Sequence, residues 1–329
     1  MAEVWFHRVA LIGTLLTLVI VMSGAWVRLT DAGLGCPDWP GCYGRLTPPM
    51  TAQDVAVGNA AFPDNPVDSG RAWREMLHRY AIPFLGGIVL ILALMALWQR
   101  KDLLMPLWFP LLLVPLLGLQ ALLGMLTVTL QLKPIVVTAH LLGGMTTLAV
   151  LAWIALRTRP RPTRFLGAQR GFRLAALVAL FVVFAQIALG GWTSANYAAL
   201  ACPDFPTCQS QWWPETDFNA AFVPSRSLGA AGEADSTGRT AIHLSHRLGA
   251  LFTLIVVGGI GLSAALRGRD RAMKASGASV VLILLVQIGL GISIVLNGLP
   301  LAQAVAHNGV AALLVLATVS LNYATWRLA

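Results

Sequence analysis

Residues 9–27 read VALIGTLLTLVIVMSGAWV, a run of 19 residues without a charge, closed by Arg8 on one side and Arg28 on the other. A helix that crosses the hydrocarbon core of a bilayer needs about 20 mainly apolar residues, so this run has the length and composition of a membrane span. The same reading along the chain gives 80–99, 103–132, 134–156, 174–203 and 248–266, each bounded by charged residues. The uncharged run 275–326 is too long for one helix and breaks at Asn297-Gly298-Leu299-Pro300, a turn signal. The expected fold is an all-α integral membrane protein of eight transmembrane helices. Composition agrees: of 329 residues, 57% are hydrophobic and 11% charged, with a mean hydropathy of +0.72. Soluble globular proteins carry about 25% charged residues, and disordered or collagen-like chains lack long apolar runs, so these classes are excluded. A cleaved signal peptide is a poor reading of 9–27, because the run is long, no A-x-A site follows and a copy of its end recurs mid-chain.

The formal net charge of +9 suggests nucleic acid until the charges are assigned to sides. Arg8, Arg100, Lys101, the cluster Arg157 to Arg173, the cluster Arg267 to Lys274 and Arg327 fall on one side, 14 basic residues against the three acids Glu3, Asp102 and Asp270. The other side holds nine basic residues and 11 acids. By the positive-inside rule the first side is cytoplasmic, which gives an N-in, C-in orientation with the long loops on the outer side. The charge is a topology signal and no nucleic-acid partner is implied.

The chain repeats itself. Gly24-Ala25-Trp26 precedes Cys36-Pro37-Asp38-Trp39-Pro40-Gly41-Cys42, and Gly190-Gly191-Trp192 precedes Cys202-Pro203-Asp204-Phe205-Pro206-Thr207-Cys208. The spacing between copies is 166 for the tryptophans and both cysteine pairs, 168 for His78-Arg79 and His246-Arg247, and 167 for Gln120/Gln287, Gly124/Gly291 and His140/His307. Residues 1–165 and 166–329 therefore read as two four-helix units. An even number of spans per unit makes this a parallel repeat, two bundles related by a pseudo-twofold axis along the membrane normal. Each unit has a long outer loop, about 28–74 and 195–241, and loops of this length in compact proteins are commonly functional.

Five of the six histidines fall in or beside the even-numbered spans: His78, His140, His243, His246 and His307; His7 reads as an interfacial residue. His78, His140, His246 and His307 lie in the outer part of the bilayer, two per half on different helices. Ionisable residues inside a membrane are costly and mark sites. Two imidazoles facing each other across a bundle are the arrangement that ligates haem iron on both axial faces, whereas zinc takes three or four close ligands. Gly24, Gly124, Gly143 and Gly144, with Gly190, Gly191, Gly289 and Gly291, would admit either a flat macrocycle or a neighbouring helix.

The halves differ three residues before the first histidine, where Glu75 stands in one and His243 in the other. An i,i+3 pair shares a helix face, so Glu75 is expected either beside the ring bound by His78 or in an ion pair with Arg71 or Arg79. Arg79 and Arg247 point about 100° away from their histidines and are expected at haem propionates or lipid phosphates. Cys36/Cys42 and Cys202/Cys208 lie outside the cytoplasm, where disulfides persist, so each pair is expected to be a disulfide, with a redox relay as an alternative.

Together these residues resemble the heme A synthase family, through Gly24 to Thr30 with the Cys36/Cys42 loop, Glu75-Met76-Leu77-His78-Arg79, Thr138-Ala139-His140, Cys202/Cys208, His243-Leu244-Ser245-His246-Arg247 and Ala306-His307-Asn308. The resemblance implies that the C-terminal half holds a resident haem b through the iron ligands His246 and His307. It implies that the N-terminal half takes haem O, the substrate, between His78 and His140, and oxidises its C8 methyl to a formyl group by successive hydroxylations and loss of water. It makes Glu75 the catalytic side chain, positioning water or moving protons. Haem O synthase, cytochrome oxidase assembly factors and membrane lipid are the implied partners. The main rival is a di-haem cytochrome b-type electron-transfer subunit, whose haems would lie near opposite membrane faces. A transporter of parallel repeats is a second rival, and it would show broken helices at the midplane.

Overall fold

The computed structural model describes residues 2–98, 105–159, 170–224 and 236–326. Arg100, Lys101, Asp102, residues 160–169 of the basic cluster, Arg327 and the side chain of Glu3 lie outside the described residues. In chain order the helices are α1 (Ala2–Leu29), α2 (Ala52–Ala61), α3 (Ser69–Trp98), α4 (Trp108–Leu111), α5 (Leu113–Thr129), α6 (Pro134–Arg157), α7 (Arg170–Ala195), α8 (Phe218–Ala221), α9 (Ser236–Arg267), α10 (Arg271–Leu296) and α11 (Leu301–Trp326). Among the described residues, eight stretches are long and apolar enough to cross a membrane: α1, α3, α4 with α5, α6, α7, α9, α10 and α11. In hydrocarbon every backbone N–H and C=O must find its partner within the segment, which is why these apolar runs are helical. Phe84, Phe181, Ile255 and Leu282 stand exposed on outward faces, the surface that lipid covers.

Short signals set the ends. Asp270 caps α10 by accepting from the Met273 amide at 2.8 Å. The expected break falls between α10 and α11, where Gly298 takes φ +69° and the Leu299 amide bonds back to Ile294. Pro134 opens α6, a position that needs no amide.

Four helices form the centre. α1 packs on α3, α6 and α11, α7 packs on α6, α9 and α11, and α6 meets α11 directly. α5 flanks α3 and α6, while α10 flanks α9 and α11. The larger buried cluster joins Met145 and Leu148 of α6 to Val183 of α7, Val257 of α9, Leu284 of α10 and Val315 of α11. A second cluster joins Phe6 of α1, Leu92 of α3 and Leu151 of α6. Where α1 and α7 end, the Arg28 guanidinium donates to the Ser194 carbonyl at 2.6 Å and lies 4.2 Å over the Tyr197 ring, whose hydroxyl donates to Asp31.

Several expected boundaries move. The helices read as 80–99 and 248–266 begin at Ser69 and, among the described residues, at Ser236, so both long connections are shorter than read. Arg79 and Arg247, the charges that close these uncharged runs, do not stop the helices, because their guanidinium groups are bonded to loop carbonyls. The third span begins at Trp108 rather than 103, in a segment carrying Pro106, Pro110 and Pro115. The run 174–203 ends at Ala195, because the Asn196 side chain and the Ala198 amide turn back to bond Trp192 and Thr193.

Candidate functional site

The four repeat-related histidines all sit toward the end of the bundle that bears the two long loops. His78 and His246 lie about 14–15 Å from the starts of α3 and α9, and His140 and His307 about 9 Å from the starts of α6 and α11. His78 is within electrostatic reach of His140, and His246 of His307. All four are partly buried. Each packs its ring edge on a glycine of a neighbouring helix: a Cβ on Gly24 would stand 3.1 Å from His78 Cε1, on Gly124 3.5 Å from His140, on Gly190 3.2 Å from His246 and on Gly291 3.2 Å from His307. These glycines seat imidazoles. Gly191 instead admits Leu141 and Thr138 of α6, and a Cβ on Gly289 would meet nothing within 4 Å.

Hydrogen bonds decide which ring nitrogen is free. The Ser23 hydroxyl donates to the Ile20 carbonyl at 2.8 Å and lies 2.8 Å from His78 Nδ1. A hydroxyl has one proton, so with that proton on the carbonyl, Ser23 accepts from Nδ1–H, and the lone pair of His78 is on Nε2. That is the tautomer an axial iron ligand needs, and ligating histidines commonly have their other nitrogen held in this way. In the second half Gln186 lies 3.1 Å from His246 Nδ1 and donates to the His246 carbonyl at 2.9 Å, and Gln287 lies 3.1 Å from His307 Nε2. The donor sets are two imidazoles per half, and among the described residues no group of three or more His, Cys, Asp or Glu side chains could hold a metal ion. Paired nitrogen ligands fit haem iron.

Glu75 and His243 do the same job in the two halves. Both are 4% exposed. The Cys36 amide donates to Glu75 Oε2 at 2.8 Å, and the Cys202 amide donates to His243 Nδ1 at 3.2 Å. Arg79 donates to Glu75 Oε1, and Arg247 Nε lies 3.3 Å from His243 Nε2. Of the alternatives for Glu75, the ion pair with Arg79 is the one formed; Arg71 pairs with Asp68. His243, left without a role by its residue type, is thus the counterpart of Glu75 in latching a loop to its helix.

Arg79 and Arg247, expected at propionates or lipid phosphates, are bonded to the carbonyls of the outer loops. Arg79 donates to the carbonyls of Asp38 (2.9 Å) and Gly41, and Arg247 to those of Thr207 (2.8 Å), Cys202 (2.9 Å) and Asp204 (2.7 Å). Tight loops turn several carbonyls inward, and a guanidinium has five N–H groups to meet them. Each clamped loop is closed by its expected disulfide, Cys36–Cys42 and Cys202–Cys208. Within the loops the Asp38 carboxylate accepts from the amides of Tyr43 and Gly44, and Asp204 from those of Gln209 and Ser210. Asp204 is held below the ordinary aspartate value by the Thr207 hydroxyl first and then by these amides.

Among the described residues, eight helical spans carrying two pairs of repeat-related histidines, with two disulfide-closed loops at the same end, define a multi-pass membrane protein. Residues 7–319 match the family described as cytochrome oxidase assembly protein. The chain is 42% identical to the heme A synthase of Shewanella oneidensis, over 98% of its own length and 96% of that protein. It is 29% identical to the heme A synthase of Methylobacterium radiotolerans (96% and 88% covered) and 26% identical to that of Halalkalibacterium halodurans (92% and 92%). The chain belongs to the heme A synthase family.

Ser23 and Gln186 escape a search by repeat, because the equivalent positions are Leu189 and Ile20. Gln120 and Gln287 do stand at matched spacing, and that spacing was the available signal.

Proposed function

We propose that this chain works in heme A biosynthesis, oxidising the C8 methyl of haem O to a formyl group. The observation that carries this reading is a pair of bis-histidine sites alike in frame and unlike in their ionisable neighbour, Glu75 against His243. Haem O is the substrate between His78 and His140, and haem b the resident cofactor held by His246 and His307. Haem b, when bound, supplies one-electron redox chemistry. The protein's own part is to orient and to move protons. Ser23 keeps His78 Nε2 available, and Gly24 and Gly124 let the first-half rings lie close to their helices. Glu75 is the carboxylate one helical turn from His78, oriented by the Cys36 amide and Arg79, and it handles protons as the methyl is hydroxylated twice and loses water, one C–H bond surviving in the formyl group. The disulfide loops cap the sites against water.

The finer architecture belongs to the same reading. Residues 1–165 and 166–329 form the substrate and cofactor bundles, related by a pseudo-twofold axis along the membrane normal. Both termini are cytoplasmic and the loops periplasmic, in the inner membrane of a bacterium, where haem O synthase and oxidase assembly factors would deliver and receive haem. The matched Gly–His contacts and loop clamps support this symmetry. Grouping of all four histidines at one end favours side-by-side haems over the transmembrane ladder of a cytochrome b subunit.

The test is pigment analysis. Purified protein should show a low-spin b-type spectrum, and cells that also produce haem O synthase should contain haem A. Haem O persisting unchanged beside an intact b-type spectrum would refute the enzymatic claim.

A further inference from the structure

Arg79 and Arg247 are bonded into their loops, so a haem's carboxylates need other cations, and one half has them. Arg74 stands four residues before His78 on α3, about 6 Å nearer the outer end and about 40° around the helix, so the two share a face. Lys133 caps α6 seven residues before His140, about 10 Å nearer that end and about 20° around, again on the histidine's face. Arg74 is half-buried, and its Nε donates to the Gly70 carbonyl at 3.1 Å; Lys133 is exposed. Among the described residues neither forms an ion pair, whereas Arg28, Arg45, Arg71 and Arg79 do. At the repeat spacings of 168 and 167 the second half has Ile242 and Pro300 in their places, and Ile242 is buried. Arg71 and its counterpart Arg239, seven residues before His78 and His246, are already engaged: Arg71 pairs with Asp68, and Arg239 is buried with partners of its own.

We propose that Arg74 and Lys133 receive the two propionate carboxylates of the haem that enters the first half, and so fix how its macrocycle lies between His78 and His140. The inference rests on the reading above, in which that haem is haem O. A carboxylate in hydrocarbon is costly, so a haem seated between these histidines turns its propionate edge toward the loop-bearing end, where both cations stand. The bond from Arg74 Nε to Gly70 leaves the terminal amino groups to a carboxylate, and Lys133 is a point charge on a flexible stem. One cation on each histidine-bearing helix suits two separate carboxylates. The placement of this edge bears on the chemistry, because the C8 methyl of haem O shares its pyrrole ring with one propionate. Glu75 follows Arg74 in the chain, one turn outward from His78. Holding the propionates at that end keeps the methyl at the level of Glu75 rather than deep in the bundle. The second half, whose haem is a cofactor and is not converted, has no cation at either position.

The test titrates haem into full-length His246→Ala protein in phosphatidylcholine nanodiscs, so that the first half alone binds, and compares protohaem with its dimethyl ester, in which both carboxylates are masked. This protein should bind protohaem more tightly than the ester, and added salt should narrow the margin. Arg74→Gln and Lys133→Gln, each made in it, should weaken protohaem binding about 5- to 10-fold and leave the ester unchanged, a difference that a structural role would not produce. Lys133→Arg should retain the affinity. Equal affinity for acid and ester before either substitution, or variants that bind protohaem undiminished, overturns the proposal. So does an equal loss for acid and ester, and so does a loss confined to discs containing phosphatidylglycerol, which would assign the cations to a lipid headgroup. Should one variant fail to fold, the other decides. Protein that takes up neither haem overturns the underlying reading instead, and this proposal with it.

Discussion

Replacing Arg247 by methionine keeps the apolar stem and removes the head that grips the loop 202–208. Three charge-assisted bonds go, at 2.7–2.9 Å, to the carbonyls of Thr207, Cys202 and Asp204. Each such bond contributes about 1.5–3 kcal/mol; halving for the water that replaces a partly buried guanidinium leaves about 2–4 kcal/mol. Cys202 and Cys208 are 0% and 2% exposed, so a reductant reaches their disulfide only when the loop opens. A loss of that size raises the open fraction about 30- to 700-fold. Cys36 and Cys42, both 0% exposed, serve as the control within the same molecule. The assay is reduction by a phosphine in detergent, with alkylation and mass spectrometry to time each pair. Arg247→Met should accelerate Cys202–Cys208 and leave Cys36–Cys42 alone. Arg79→Met should do the reverse and by more, because it also strands the Glu75 carboxylate, and breaking a buried pair costs about 3–5 kcal/mol. Equal acceleration of both disulfides, or none, would show that the arginines do not clamp the loops.

Three further outcomes are expected. Glu75→Gln should retain haem in both halves but lose about 10²- to 10⁴-fold in conversion of haem O, and a normal haem A yield would reduce Glu75 to a latch. Ser23→Ala should weaken first-half haem binding about 10- to 100-fold with Ser23→Thr restoring it, read from a haem titration; equal affinities would remove Ser23 from the site. Since Asp204 titrates below the ordinary aspartate value, its contribution is complete above that value and disappears as pH falls through the lowered one. Phosphine reduction of Cys202–Cys208 should therefore quicken below about pH 4, and Asp204→Asn should abolish that acid dependence.

Spans, repeat and histidine pairs were legible in the sequence because lipid imposes them: an uncharged run is easily read, and a histidine within it stands out. The first turns of α3 and α9 were not. Arg79 and Arg247 look like the ends of spans, and only the folded loops show the carbonyls that let the helix continue through them. Identity of residue type also hid equivalence of role. Glu75 and His243 share no chemistry as letters, yet each takes the cysteine amide and faces the arginine that follows. The reverse holds for Gln120 and Gln287, identical and equally spaced: Gln287 reaches His307, whereas Gln120 lies against Gly143. Periodicity finds positions; it does not find what a side chain bonds to.

The contact of Arg28 with Ser194 has a meaning beyond the seam it closes. The two residues are 166 apart, the spacing of the repeat, as are Asp31 and Tyr197, which also touch. Each residue therefore meets its own counterpart. Were the halves identical chains in a symmetric dimer, the same contact would bring arginine against arginine and aspartate against aspartate, since a residue on a twofold axis meets itself. Joining both copies in one polypeptide lifts that constraint. A cation can then face a carbonyl and an aromatic ring, and a carboxylate can face a phenol, a pairing that two identical halves could not both present.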